Sequence, residues 1–175
     1  MSLENPDSFP VTSRKNPNFN ILPLAFDELP PANLASDLDK VILKGFYPRL
    51  FDQDLPPEEW YADYYQTYVE KDVRQMLQID NLLAFDRLVR VSAGRIGQLL
   101  YASAISSDVG VSQPTVTRWL SLLEASFIIF TLKPHFKNFA KRLTKSPKLY
   151  FYDVGLLCWL LGIRSSEQLS LHPLR

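Results

Sequence analysis

The stretch SSDVGVSQPTVTRWLSLLEASFII, residues Ser106 to Ile129, has the order of features that a helix-turn-helix requires. Gly110 can adopt the positive φ that ends a helix, and Ser112 is a suitable N-cap for the helix that follows. Pro114 fits the first turn of that second helix because its missing N–H would have no partner there. The spacing therefore predicts a short helix, a tight turn and a longer helix.

The longer helix is predicted to have one apolar and one polar face. Apolar side chains recur at i, i+3, i+4 and i+7, at Val116, Trp119, Leu120 and Leu123. The opposite face and the N-cap carry hydrogen-bonding groups and one arginine: Ser112, Gln113, Thr115, Thr117, Arg118 and Ser121. Such side chains can bind base edges and phosphates, so we predict DNA contact through them. The same set also suits a solvated helix face, and the pattern leaves both interpretations open.

Two strand signals follow this helix, in Phe127–Leu132 and Lys148–Tyr152. The segment between them is basic and contains no acid; the basic residues proposed to contact DNA are Lys137, Lys141, Arg142 and Lys145. Two further helices are predicted upstream, Leu82–Tyr101 and Ala104–Val109. Three helices followed by a basic hairpin predict a winged helix-turn-helix, in which the wing lies along a phosphate backbone. A charged hairpin tip is also typical of a solvated edge that resists aggregation.

The region before residue 88 is predicted to be mostly helical. A short strand is expected in Phe19–Phe26, and a brief helix in Asp37–Leu43 that ends at Gly45. Pro57 opens a stretch in which tyrosines recur at helical spacing, which predicts a helix of about twenty residues. Those tyrosines form either a stacking platform for bases or a buried aromatic stripe.

The distribution of charge, the cysteine and histidine content and the length of apolar runs limit the kinds of function that the chain can have. Residues 1–90 contain 9 Lys and Arg against 15 Asp and Glu, a net −6, whereas residues 91–175 contain 10 against 4, a net +6. The basic half can bind phosphate, or the two halves can simply attract each other. A single cysteine, Cys158, excludes an internal disulfide, and the two histidines show no metal-ligand spacing. With no signal core and no apolar run long enough to span a bilayer, we expect a cytoplasmic chain without a membrane segment.

Several strings together resemble one protein family. They occur in the same order as in bacterial and archaeal AAA-type P-loop ATPases that carry a C-terminal domain of unknown function. The strings are ILPLAFDEL (residues 21–29), GFYPRL (45–50), YYQTYVEKDVR (64–74), GVSQPTVTRWLSLLEASFI (110–128) and SPKLYFYDVGL (146–156). The resemblance implies an ATPase domain, a helical lid, a winged helix and then a PD-(D/E)xK nuclease-like domain.

This chain matches only the middle of that architecture. It has no GxxxxGK[ST] loop and no strand ending in paired acids, so the resemblance implies ATP and magnesium for a missing ATPase domain and no cofactor here. Positions of the lid that lie near nucleotide in such ATPases match Gly45, Tyr47, Pro48 and Arg49. Phe46 stands where the family usually has a second glycine, and Arg49 can equally be a surface arginine.

These observations predict a mainly α chain with a small β wing. The expected units are an extended segment with an ATPase-core strand (1–29), a helical lid-like region (30–87), a winged helix-turn-helix (88–162) and a truncated tail (163–175). No catalytic residue is predicted within them. The expected function is to couple the nucleotide state of the missing ATPase domain to binding of double-stranded DNA. The alternative is a regulatory module that docks on its own ATPase domain or on a neighbouring subunit of an oligomer, without nucleic acid.

Overall fold

The computed structural model describes residues 22–29, 37–53, 55–67, 81–135 and 146–173. Within these ranges the chain is mainly helical with one two-stranded antiparallel sheet, as predicted. After a 3₁₀ turn at Phe26–Glu28, the helices are α1 (Leu38–Lys44), α2 (Pro48–Asp52), α3 (Pro57–Tyr64), α4 (Leu82–Ala93), α5 (Ala102–Val109), α6 (Gln113–Ala125), α7 (Val154–Leu160) and α8 (Ser166–Leu171). The strands β1 (Ile129–Leu132) and β2 (Lys148–Phe151) lie between α6 and α7. No helix in the described ranges is both long and apolar enough to cross a membrane.

The segment before α1 does not form the predicted strand where it is described, from residue 22 onward. Pro23 cannot donate to a ladder, and one backbone hydrogen bond, from Leu24 N to the Phe46 carbonyl at 2.7 Å, joins this segment to another. The following residues form the 3₁₀ turn instead, in which the Glu28 carboxylate accepts a hydrogen bond from Ala25 N at 2.7 Å. Residues 19–21 lie outside the described ranges.

The helices on either side of the predicted nucleotide-sensing residues begin, and α1 ends, where the sequence predicts. The Asp37 carboxylate accepts a hydrogen bond from Asp39 N and caps α1, which ends at Gly45 with φ of +74°. Helix α3 begins at Pro57, and the helical backbone is described to residue 67, so the rest of the predicted twenty-residue helix lies outside the described ranges. Tyr61 and Tyr65 are buried, which favours the aromatic stripe over the base-stacking platform.

Helix α4 is shorter than predicted, because it ends at Ala93 rather than near Tyr101. Gly94 and Gly97 follow, and Gly97 adopts φ of +72°, a conformation that glycine tolerates and a helix does not. The chain instead pairs with β2: Gly97 N donates to the Leu149 carbonyl at 2.8 Å, and Leu149 N donates to the Gln98 carbonyl at 3.2 Å. The backbone groups released from the helix are thus satisfied by the sheet edge.

The predicted helix–turn–helix order is present in α5 and α6. Gly110 has φ of +79° in the left-handed region and ends α5. Ser112 caps α6 through its hydroxyl, which accepts from Thr115 N at 3.4 Å. The turn is further held by Ser106, whose hydroxyl donates to the Val111 carbonyl at 2.6 Å.

The two predicted strands form an antiparallel hairpin. Its register pairs Ile129 with Phe151, Phe130 with Tyr150, Thr131 with Leu149 and Leu132 with Lys148. Ile129, Leu149 and Phe151 are buried on the face that packs against the helices. The alternate residues point to the other face, as the period of a strand requires.

One cluster of buried residues joins α2 and α3 to the later helices and the hairpin. Its members include Leu50, Tyr61, Phe85, Leu123, Ile129 and Leu156. A smaller cluster of Cys158, Ile163 and Leu169 packs under α1. Leu169 belongs to α8, so part of the segment predicted to be a truncated tail (163–175) is a helix that packs into the fold.

Candidate functional site

Helix α6 presents a solvent-facing polar surface, the α6 polar face, formed by Ser112, Gln113, Thr117, Arg118 and Ser121. All five residues are exposed. Within the described ranges, the Arg118 guanidinium and the Gln113 amide make no side-chain hydrogen bond or ion pair. These two groups are the ones that can pair bidentately with guanine and adenine in a major groove. The surface is therefore chemically able to contact base edges.

The hydroxyl groups near the start of α6 are engaged locally. The Ser112 and Thr115 hydroxyls lie 2.8 Å apart, and the half-buried Thr115 is the least exposed of the predicted contacts on α6. The Thr117 hydroxyl donates to the Gln113 carbonyl at 3.1 Å. Each hydroxyl oxygen can accept a further hydrogen bond, but these groups first stabilise the helix start.

The α6 polar face is held rigidly from below. Val116, Trp119, Leu120 and Leu123 are all buried, as their spacing predicted. The Trp119 ring packs edge-on against Phe85 of α4, with ring centroids 5.5 Å apart. Because this underside is close-packed, α6 can present its polar side chains in one orientation.

The end of α6 is tied to the hairpin by Glu124. Its Oε1 accepts hydrogen bonds from Thr131 N at 3.2 Å and from the Thr131 hydroxyl at 2.7 Å. The hairpin therefore keeps a fixed position relative to the α6 polar face. The four loop residues predicted to contact phosphate, Lys137, Lys141, Arg142 and Lys145, lie outside the described ranges.

A second candidate site is a cluster of hydrogen-bonded groups around Asp153, a residue that is only 1% exposed. Asp153 directly precedes α7 and is its N-cap, because Oδ1 accepts from Leu156 N at 2.6 Å. The same oxygen accepts from the Tyr61 hydroxyl at 2.6 Å, and Oδ2 accepts from Phe46 N at 2.7 Å. Asp153 thus connects α3, the loop after α1 and the start of α7, a connection that sequence reasoning missed.

Burial sets the protonation behaviour of this cluster. Desolvation raises the pKa of Asp153, although the donors Tyr61, Leu156 and Phe46 act in the opposite direction. Burial and the nearby Asp153 carboxylate also raise the pKa of Tyr61, so its hydroxyl remains a donor at neutral pH. The cluster therefore has the properties of an internal hydrogen-bonded joint rather than of an acid–base site open to substrate.

Two of the predicted nucleotide-sensing residues, Gly45 and Tyr47, are buried. Gly45 is buried against Asp153, and a methyl group added to it would overlap the Tyr61 hydroxyl. Tyr47 is buried beside Trp60 and Tyr64, with ring centroids 5.0 and 4.9 Å away.

The next two predicted positions begin helix α2. Pro48 is the first residue of α2, and Arg49 is exposed on it. Their role in sensing nucleotide stays a prediction. In the described ranges no three Asp, Glu, His or Cys side chains are grouped so that they could hold a metal ion.

The fold and these two arrangements define a mainly helical domain that combines an exposed polar helix with an antiparallel hairpin. Residues 35–167 match the model of a domain of unknown function, DUF8612, and the chain belongs to that family.

Two curated mycobacterial proteins are similar to the chain. They are Uncharacterized protein Rv2008c of Mycobacterium tuberculosis and Uncharacterized protein Mb2031c of Mycobacterium bovis, each 30% identical over 141 residues. The alignment covers 79% of this chain and 32% of each relative, so the chain spans about a third of the relatives' length. No solved structure matches the chain significantly.

Proposed function

We propose that residues 81–152 form a winged helix-turn-helix that binds duplex DNA through the α6 polar face. The observation that carries this proposal is that the Gln113 amide and the Arg118 guanidinium have no side-chain partner among the described residues, on a helix whose underside is packed. The order of elements supports it: α4, a bridge between Leu99 and Lys148, α5, α6 and the hairpin follow the order of helices and strands in such modules.

In the proposed complex, α6 enters the major groove and the hairpin lies beside the phosphate backbone. Arg118 and Gln113 contact base edges, whereas Ser112 and Thr117 contact phosphates or sugars. In this proposal the lysines and the arginine between the two strands attract the phosphates of any DNA sequence.

We further propose that this module is the lid and winged-helix portion of a longer AAA-type ATPase. ATP and magnesium would bind the missing ATPase domain, and the residues of this chain would supply no catalytic group. The joint at Asp153 supports a coupling role, because it links the loop containing Gly45 and Phe46 to the start of α7, directly after the hairpin. Coupling requires that the loop make different contacts in the two nucleotide states.

A second candidate function is regulatory docking on the protein's own ATPase domain or on a neighbouring subunit. Leu83 on α4 favours it, because its side chain is 80% exposed on a helix whose other apolar residues are mostly buried. Large apolar side chains left exposed in this way are typical of protein contacts when they form part of a wider patch.

Fluorescence anisotropy with a labelled duplex of mixed sequence tests DNA binding by the whole chain. Wild type should bind with an affinity that falls steeply between 50 and 200 mM salt. Arg118→Ala should weaken binding by about fivefold or more, since a bidentate base contact contributes about 1–3 kcal/mol. Lys141→Ala, Arg142→Ala and Lys145→Ala combined should weaken it several-fold and flatten the salt dependence.

Lys40→Ala is the matched control, because Lys40 is an exposed cation on α1, outside the proposed interface. It should retain the wild-type affinity within about twofold. A duplex affinity that does not change with salt concentration contradicts the proposal. An equal loss of affinity in Lys40→Ala and Arg118→Ala also contradicts it. If the chain binds no duplex but ATP alters the assembly of the longer protein, the result supports regulatory docking instead of DNA binding.

A further inference from the structure

A cleft of about 290 Å³, here termed the α3–α7 cleft, lies between the start of α3, helix α7 and the link from α7 to α8. Its apolar walls include Leu43, Pro56, Pro57, Trp159 and Ile163. Two charged residues, Glu58 and Arg164, also line it. The volume is near the lower end of the range for small-molecule sites, about 300–1,000 Å³, and a mostly apolar lining with a few polar groups is typical of them.

The Arg164 guanidinium is held in one orientation at the end of α7. Its Nη1 donates to the Trp159 carbonyl at 2.9 Å and to the Ile163 carbonyl at 3.3 Å. The guanidinium also lies over the Trp159 ring, with Cζ 5.5 Å from the ring centroid. Because these contacts fix one side of the group, the cleft has a cation whose position is set before any ligand arrives.

The other edge of the guanidinium is only half used. Nε donates to Glu58 Oε1 at 3.1 Å, and Nη2 makes no hydrogen bond to any residue in the described ranges. Nε and Nη2 are neighbouring donors that can bind one carboxylate through two parallel hydrogen bonds. The Glu58 side chain is 69% exposed, so its single bond to Arg164 is easily exchanged. Glu58 thus shows which chemical group this edge accepts and leaves the second donor open.

The walls of the cleft determine what the carboxylate is attached to. The Trp159 ring and the rings of Pro56 and Pro57 are flat and apolar, so a flat apolar group covers them best. Inorganic phosphate would pair with Arg164 but leave these walls in water. An uncharged aromatic molecule would cover the walls but leave Nη2 without an acceptor. The ligand that meets both demands is an aromatic ring that bears a carboxylate.

We infer that the α3–α7 cleft binds a small aromatic carboxylate, whose two oxygens replace Glu58 on Nε and Nη2 of Arg164 while its ring lies against Trp159. Tyr61 and Gly155 line the same cleft, so the bound ligand contacts residues next to the Asp153 hydrogen bonds. The inference goes beyond the proposed function, because it concerns a small molecule and a region outside α6 and the hairpin.

The test is an NMR titration of the ¹⁵N-labelled whole chain with sodium benzoate, with sodium chloride added to keep the ionic strength constant. The amide signals of Gly155, Trp159 and Arg164 should shift and reach saturation. Benzamide has the same shape without the charge, and inorganic phosphate has charge without the ring. Each should bind at least about tenfold more weakly than benzoate, because each lacks one of the two complementary features.

Two variants change the charge at neighbouring positions. Glu58→Gln removes the carboxylate that competes for Arg164 and should bind benzoate about two- to fivefold more tightly. Glu59→Gln is the matched control, because Glu59 is exposed and does not line the cleft, and it should bind nearly like wild type. Arg164→Gln should weaken benzoate binding at least about tenfold, and circular dichroism verifies that this variant keeps its helices.

Tighter benzoate binding by Glu58→Gln than by Glu59→Gln, together with weak binding of benzamide and phosphate, supports the inference. Equal affinity of Glu58→Gln and wild type for benzoate overturns it, even if Arg164→Gln fails to fold. Benzamide or phosphate that binds as tightly as benzoate also overturns it, as do benzoate shifts confined to residues outside the cleft. None of these readouts involves DNA, so failure of the inference leaves the proposed function standing.

Discussion

Asp153 is a buried carboxylate whose hydrogen bonds join distant parts of the described chain. Its two carboxylate oxygens accept from Tyr61, Phe46 and Leu156, which belong to three separate parts of the fold. Gly45 and Gly155 make this possible, since a Cβ at either position would overlap the Tyr61 hydroxyl. Gly155 stands two residues after Asp153 in the sequence, whereas Gly45 lies more than a hundred residues earlier, so no local pattern indicates that they meet.

Removing the Tyr61 hydroxyl tests how much the joint stabilises the fold. Tyr61→Phe leaves the buried Asp153 with one donor fewer, and we expect the free energy of unfolding in urea to fall by about 1–3 kcal/mol. Tyr101→Phe, at an exposed position, should change it by less than about 0.5 kcal/mol. Equal midpoints and slopes for Tyr61→Phe and wild type would show that the hydrogen bond contributes nothing.

At the scale of elements, the sequence was most informative where caps and periodicity agree. Gly110, Ser112 and the apolar spacing of α6 predicted the helix pair, and β-branched and aromatic runs predicted the hairpin. The end of α4 was predicted wrongly, because hydrophobic periodicity continues past Gly94 and only pairing with β2 draws the chain away. Tertiary hydrogen bonds of this kind have no local sequence signal.

Cys158 of α7 and Leu169 of α8 belong to one small buried cluster under α1, so the reactivity of Cys158 reports on that cluster. Burial raises the pKa of Cys158 to about 11, from an ordinary value of 9.0, and the side chain is only 4% exposed. Reaction with a thiol reagent at pH 8 should therefore be slow in the native chain and fast in denaturant. Leu169→Ala, which opens the small cluster beneath the thiol, should accelerate labelling without denaturant; an unchanged rate would contradict this packing.

The same raised pKa predicts the sign of an alkaline effect. The folded chain holds the Cys158 proton more tightly than the unfolded chain, so this contribution to stability is complete below about pH 9. It is lost as the pH rises from about 9 to 11. Urea denaturation at pH 8 and pH 10 should show a smaller loss of stability in Cys158→Ala than in wild type. An identical loss in both would contradict the assigned burial.

At the scale of the whole molecule, the region predicted to be a lid and the proposed winged helix share one buried cluster among the described residues. The predicted boundary between residues 87 and 88 falls inside α4, and Leu50 of α2 belongs to the same buried cluster as Leu123 of α6. Sequence periodicity identifies which residues are buried but not which of them meet. Which buried residues of the two regions share a cluster therefore could not be predicted from the sequence.

A shared core predicts cooperative unfolding. Tryptophan fluorescence and far-ultraviolet circular dichroism should give the same urea midpoint, and Leu50→Ala should lower both midpoints together. The expected destabilisation is about 2–5 kcal/mol, because Leu50 is fully buried. Separate midpoints, or a shift seen by one probe alone, would mean that the two regions unfold independently.

The most direct measurement of the central claim is an NMR titration of the ¹⁵N-labelled chain with a mixed-sequence duplex. If α6 binds DNA through its polar face, the largest amide shifts will fall at Gln113, Thr117, Arg118 and Ser121, and Arg118→Ala will need at least about fivefold more duplex to reach them. Shifts at α1 and α8 should remain small. Saturating duplex that leaves the α6 amides unmoved, or moves only residues away from α6 and the hairpin, would contradict the account.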